Sequence, residues 1–334
     1  MPGILNLAQI DLPVATVLTE QLEEVVVILE RQLASDHSAV NALCRHIEQY
    51  SGKRLRPLLL LLTGLAVGRP PWDSSELTER HRIVAAVVEM IHLATLVHDD
   101  VLDEARIRRK VATLNNLRGN ETAVMLGDYL ISNAFSLCSS VMDPAINLYL
   151  GEVTNTICEG ELLQLHHRDD CDIDERTYFQ IVRSKTASLI GECCRLGAVL
   201  SGADATLCES MRLYGLYLGI AFQIQDDLLD ITGDEAVVGK SLGRDLHSGK
   251  VTLPLIRYLA TAEPQLRVEA LGEFTSRNAQ KLRLRLVESG AVADARGEAT
   301  RFVEDAKGRL TSLSPGPARD MLETLAEAVI SRRY

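Results

Sequence analysis

Apolar residues recur at three- and four-residue intervals along most of the chain, the spacing that turns one helix face toward a core. The pattern predicts helices over about 14–49, 55–68, 77–104, 121–139, 143–166, 174–202, 206–231, 250–262, 265–289, 291–309 and 317–331. Turn-rich stretches separate them: YSGK, GRPPWDSS, MDP, HRDDCDID, SGADA and SLSPGP. DSSEL and DIDER read as N-terminal caps of the helices they precede. Alternating strand segments, strong hairpin signals, fixed-period repeats and low-complexity linkers are all missing from the pattern. It predicts one all-α domain over 1–334, with a single long loop at 232–250 carrying Gly233, Gly239, Gly243 and Gly249. A loop that long in a compact helical protein is more often functional than idle.

Composition supports this and narrows the partners. The chain is 46% hydrophobic, enough for a sizeable core, and its 4% aromatic content with abundant Leu, Ala, Glu and Arg favours helix over strand. A net charge of −11 argues against nucleic acid as a partner and makes any local cluster of Lys and Arg informative. The seven cysteines form no CxxC pair and read as free thiols, mostly small buried hydrophobes, in a reducing compartment. The first residues lack the positive start of a signal peptide, and PLLLLLTGLAVG is too short to span a bilayer, so a cytoplasmic protein is expected.

The chemistry begins at HDDVLDEARIRR. Asp99 and Asp103 lie four residues apart, on one face at the end of an otherwise apolar helix, with Asp100 beside them. Two carboxylates so close repel, and burying them unpaired is costly; a divalent cation removes both problems, and oxygen ligands suit Mg²⁺. Asp226, Asp227 and Asp230 in QDDLLD repeat the arrangement at the end of a second apolar helix. A lone acidic helix end is usually solvated; two of the same design suggest helices facing a common cavity. Neither stretch has the spacing of a calcium-binding EF-hand loop.

Mg²⁺ held by carboxylates commonly takes substrate phosphates as further ligands, and the cations for such a substrate are present. Arg108 and Arg109 follow the first motif; Lys53, Arg54 and Arg56 crowd a helix start; Lys185 lies in RSKTAS; Lys240 and Lys250 lie in the glycine-rich loop. Singly each reads as a surface cation, but together they fit two diphosphates. VVGKS is not a P-loop, since Gly233 and Gly239 are wrongly spaced and no strand precedes them. His92, seven residues before Asp99, is the better ligand candidate, whereas His98 is as apt to be structural as catalytic.

In order, GKRLRP, IHLATLVHDDVLDEARIRR, GNETAVMLGDYL, EGELLQL, RSKTASL, FQIQDDLLD and GKSLGRDLHSGKVTLPLI resemble the markers of the trans-isoprenyl (polyprenyl) diphosphate synthases, over nearly the full chain. The long-chain, octaprenyl-type members are the most similar. The resemblance implies antiparallel helices around a deep central cavity, usually in a homodimer. It implies that Asp99, Asp100 and Asp103 bind Mg²⁺ on an allylic diphosphate, with Asp226, Asp227 and Asp230 completing a cluster of three ions, for which Mn²⁺ substitutes. It assigns Lys53, Arg56, His92 and Arg109 to isopentenyl diphosphate, and Arg108, Lys185 and Lys240 to the allylic diphosphate. Thr186 and Gln223 fall near the reacting carbons, and Lys250 closes the loop. Two departures stand out: RRKVAT replaces the usual RRGxPT, with Lys110 for Gly and Ala112 for Pro, and Arg118 stands where an aromatic is common.

Product length follows from the residues four and five positions before Asp99. Ala94 and Thr95 are small where short-chain members place aromatics, so a long product is expected, such as a quinone side chain, with release at a membrane surface. Val87, Met90 and Ile91 are candidates for the floor. The rivals are a geranylgeranyl- or farnesyl-length synthase, a non-catalytic subunit of a heteromeric synthase, and a class I terpene cyclase. The last would need neither GKRLRP nor a second diphosphate site.

Overall fold

The computed structural model describes residues 13–50, 52, 54–68, 70–233 and 242–331, and most of them are helical. The first helices are α1 (Pro13–Leu33), α2 (Ser38–Glu48), α3 (Leu55–Val67) and α4 (Glu79–Leu102). A hairpin of β1 (Ile107–Arg108) and β2 (Val111–Ala112) follows, then α5 (Leu114–Arg118), α6 (Asn120–Ser139), α7 (Pro144–His166) and α8 (Glu175–Val182). A π turn, Arg183–Ala187, joins α8 to α9 (Ser188–Leu200), and α10 (Ala205–Thr232) comes next. The remaining helices are α11 (Arg244–His247), α12 (Leu253–Thr261), α13 (Pro264–Thr275), α14 (Ala279–Glu288), α15 (Ala291–Arg309) and α16 (Pro317–Ile330). The all-α expectation holds, and among the described residues no helix is long and apolar enough to cross a membrane.

Contacts group the described residues into two compact units, each drawn from three stretches of chain. The first holds the residues up to Thr154 with Glu192–Arg212 and Leu310–Thr324. Its axis is α4, buried on nearly every side from Val84 to Val97, with α1, α3 and α6 packed against it. α3 is a core helix as its composition predicts, buried from Pro57 to Ala66. The second unit holds Asn155–Gly191, Leu213–Arg309 and the described residues from Leu325. Ile181, Ile220, Ile224, Leu253, Phe274 and Ala299 are among the side chains of its core. Five of the seven cysteines are buried; Cys158 is exposed and Cys171 half-buried.

Where the observed helices differ from the periodicity, local polar groups are responsible. The helix expected over 14–49 breaks before Ser38, because the Asn41 amide accepts from the Ser35 N–H at 2.9 Å and donates to the Ser35 carbonyl at 2.7 Å. The helix expected over 265–289 breaks at Arg277, with φ of 56°, and Asn278 caps α14 through the Lys281 N–H at 3.2 Å. Asp174 caps α8 as expected, accepting from the Thr177 N–H at 2.8 Å. Asp73 caps only a 3₁₀ turn, and the start of α4 belongs to Thr78, whose N–H donates to His81 Nδ1 at 3.1 Å. The hairpin carries no Asn-Gly or Asp-Gly signal; its turn places Arg109 and Lys110 at φ of 51° and 69°, the positive pair a tight hairpin demands. Glycine would take the second of these without strain, and this chain puts Lys110 there.

His81 is fully buried, its Nε2 3.0 Å from Ser201 Oγ, and burial holds its pKa down at about 4 against the usual 6.5. The unfolded chain therefore binds a proton that the fold refuses between those values. Stability from this group is complete above about pH 6.5 and falls as the pH drops toward about 4. Urea midpoints measured across that window should fall for the native chain and change less steeply for His81→Gln.

Candidate active site

The end of α4 carries the first aspartate motif in the first unit. Asp99 and Asp103 are half-buried, one helical turn apart, and Asp103 is the C-cap of α4. Asp100 points inward, only 2% exposed, and is met by Arg108. Arg108 Nε donates to its two oxygens at 3.0 and 3.1 Å, and Nη2 lies 2.9 Å from Oδ1. Asp100 and Arg108, expected on metal and allylic diphosphate, are therefore committed to each other in this structure.

The hairpin that delivers Arg108 is tied back to α4 by neutral hydrogen bonds. Asn115 Nδ2 donates to the carbonyls of Asp100 and Ala105 at 3.0 and 3.1 Å, and Thr113 Oγ1 to that of Ala105 at 2.5 Å. The Leu114 N–H donates to the buried Tyr50 hydroxyl at 2.7 Å, and burial pushes that hydroxyl up to about 12. His46 Nε2 donates to the Ala112 carbonyl at 2.9 Å, so the segment that departs from RRGxPT is fully anchored.

Around this hairpin the first unit gathers cations. Arg54 is the N-cap of α3 and Arg56 lies in its first turn. Arg109 packs on Gly52 so closely that a Cβ there would collide with its guanidinium. His92 feels these charges: burial first, then Arg56, Arg108 and Arg109, hold it well below its usual value and keep it neutral. Glu89, one turn earlier, is 2% exposed; burial raises its pKa while Arg56, Arg54 and Arg109 pull it down. Sequence reasoning missed Glu89, and its only signal was a lone acid in an apolar helix. Lys53 lies outside the described residues.

His98 docks on α6. Its Nε2 lies 3.2 Å from the Val124 carbonyl and 3.6 Å from Asp128, over Gly127 of α6, where a Cβ would collide with the ring. Ala94 is fully buried and Thr95 half-buried, with Oγ1 donating to the His92 carbonyl at 2.8 Å. Val87, Met90 and Ile91 are completely buried.

The second unit carries the second motif at the end of α10. Asp226 is half-buried. Asp227 is buried and accepts from Tyr178 Oη at 2.7 Å and from Gln223 Nε2 at 2.8 Å. Gln223 Oε1 in turn accepts from Thr186 Oγ1 at 2.9 Å, so Thr186, Gln223, Asp227 and Tyr178 form one chain. Burial, with Asp245 and Asp226 nearby, raises the Asp227 pKa well above the carboxylate range; burial and Asp227 raise that of Tyr178. Asp230, expected on metal, accepts from the N–H groups of Arg244 and Asp245 at 3.1 Å each, at the start of α11. Lys185 reaches back to pair with Glu161. Lys250, whose N–H donates to the Asp245 carbonyl at 2.8 Å, lines a small cavity with Asp227, Asp230 and Asp245. Lys240 lies outside the described residues. Tyr178, Glu161 and Asp245 are the polar partners that periodicity did not reveal.

Within the described residues, no three acidic, His or Cys side chains are drawn together tightly enough to hold a metal by themselves. The donors nonetheless fit Mg²⁺, being carboxylate oxygens on helix ends, with Asp99, Asp103 and Asp226 partly exposed. Removing Arg108 would take its cation away from the buried Asp100. Arg108→Met should cost about 3 kcal/mol by urea unfolding, and Arg109→Met, at an exposed position, well under half of that.

The polyprenyl synthetase family model matches residues 37–285. A prenyl transferase of Synechocystis sp. is 37% identical over 307 residues, 92% of this chain and 94% of the relative. The octaprenyl diphosphate synthase of Escherichia coli is 35% identical over 309 residues, 91% and 93% of the two chains. Relatives named for long and for short products both match, as does one named component 2 of a heptaprenyl diphosphate synthase. A crystal structure of polyprenyl synthase from Caulobacter crescentus, complexed with calcium and isoprenyl diphosphate, superposes with a TM-score of 0.89 at 31% identity, over 96% of this chain and 98% of that one. Acidic helix ends, converging arginines and these likenesses have one reading: the chain belongs to the polyprenyl synthetase family of prenyltransferases.

Proposed function

We propose that this protein condenses isopentenyl diphosphate with farnesyl or geranylgeranyl diphosphate, in a Mg²⁺-dependent reaction, to give a long all-trans polyprenyl diphosphate. The observation that carries this reading is the gathering of Arg56, Arg108 and Arg109 around a neutral His92, beside the half-buried Asp99 and Asp103. Arg56, Arg109 and His92, with Lys53, bind isopentenyl diphosphate. Asp99 and Asp103 in the first unit, and Asp226 in the second, would hold Mg²⁺, which when bound would supply Lewis-acid withdrawal of charge from the leaving diphosphate. Asp227 and Asp230 support the second motif from behind, through the bonds they make inside their own unit. Lys185 and Lys240 take the allylic diphosphate, Thr186 and Gln223 lie near the reacting carbons, and Lys250 closes the loop. Apolar walls keep water from quenching the allylic cation.

The whole chain acts as one catalytic domain and works as a cytoplasmic homodimer, a reading supported by the exposed Val124 and Met125 of α6. The small, buried Ala94 and the short Thr95 support a long product, released at a membrane surface. Relatives named for geranylgeranyl products keep a shorter product as the second reading, and the relative named as a component keeps a heteromeric subunit as the third.

Purified protein should incorporate radiolabelled isopentenyl diphosphate onto farnesyl diphosphate with Mg²⁺ and lose that activity with a chelator. No incorporation by the protein alone would favour the subunit reading. Product chromatography of Ala94→Phe should show shorter chains, and an unchanged length would remove Ala94 from the chain-length determinants.

A further inference from the structure

Lys185 and Thr186 sit in the π turn Arg183–Ala187, which takes up its extra width between α8 and α9 without breaking the run of helix. Turns of this kind are rare and are often found at functional sites. Here two glycines from different helices come up against it. On α7, a Cβ at Gly160 would stand 2.6 Å from the Lys185 nitrogen and 2.7 Å from Ser184 Cβ. On α10, a Cβ at Gly219 would stand 2.6 Å from Ala187 Cα and 2.9 Å from its Cβ. Neither glycine has a positive φ, so space rather than backbone conformation calls for glycine at both positions.

The two close approaches coincide with the side-chain bonds of the turn. Gly160 precedes Glu161, the partner of Lys185. Gly219 lies one helical turn before Gln223, which accepts from Thr186 at 2.9 Å and donates onward to Asp227 at 2.8 Å. Tyr178, on the helix leading into the turn, closes the chain on Asp227 at 2.7 Å. Backbone proximity therefore sets the reach of both functional side chains. An added methyl would have to be relieved by a shift of roughly 1 Å, because ordinary contact begins near 3.4 Å.

We propose that Gly160 and Gly219 are positioning residues that clamp the π turn and thereby aim Lys185 and Thr186 at the allylic diphosphate. This rests on the functional reading above. The two glycines touch no substrate and act through the turn.

The test is steady-state kinetics with farnesyl diphosphate and isopentenyl diphosphate varied separately. Gly160→Ala and Gly219→Ala should lower kcat/KM for farnesyl diphosphate by about 10- to 100-fold, while KM for isopentenyl diphosphate changes by less than about twofold. Gly272→Ala, on α13 with nothing within 4 Å of the added methyl, should leave both constants alone. Ala187→Gly removes the methyl that faces Gly219 and cannot overpack, so it should show a smaller loss of the same kind even if the alanine variants fold poorly. Folded variants with unchanged constants, or with equal losses toward both substrates, overturn the clamp. A native enzyme that incorporates nothing overturns the functional reading and the clamp with it. An active native enzyme matched by its glycine variants overturns the clamp alone.

Discussion

A carboxylate inside a helical core must be paired, hydrogen-bonded or neutralised, because the interior cannot solvate its charge. Both acidic motifs put one aspartate into that position, and the local structure around each is organised by the solution. In the first unit Asp100 is answered by Arg108, which requires the chain to double back after α4. The β1–β2 hairpin does this, and Asn115, Thr113 and Tyr50 fix it with bonds that leave its arginines in place. In the second unit Tyr178 and Gln223 donate to Asp227, and burial with the charges of Asp245 and Asp226 pushes it toward its neutral form.

These two solutions divide the labour among residues that look alike in the sequence. Of each D-D-x-x-D run, the middle aspartate is the one most buried, while the first stays half-buried at the helix end. Arg108 and Arg109 are neighbours, yet one is spent on an internal carboxylate and the other packs on Gly52 among the cations around His92. The neutrality of His92 follows from burial first and from that crowd second, since protonating a desolvated ring beside three guanidinium groups is doubly unfavourable. An anion entering such a place finds positive charge already assembled at little cost in reorganisation.

Much of this was legible beforehand. Helical periodicity located nearly every helix, because a buried face repeats every 3.6 residues whatever it packs against. The apolar stretch of α3 was readable as core, and the acidic motifs and their flanking cations were readable as a candidate site. The misses share a cause. The break before Ser38 depends on one amide bridging Ser35, and the hairpin depends on Arg109 and Lys110 accepting positive φ without glycine. Neither leaves a periodic trace.

What the sequence determined by itself is the chemistry on offer: all-α architecture, two acidic helix ends and the cations that follow them, since residue type and spacing suffice for these. Only the tertiary structure decided which aspartates are buried, that His98 docks on α6 while His92 stays among arginines, and that Glu89, Tyr178 and Glu161 are partners. The physical reason is that pairing and desolvation depend on distances between residues far apart in the chain. A π turn held between two glycines is a fact of close approach, and close approach has no period to read.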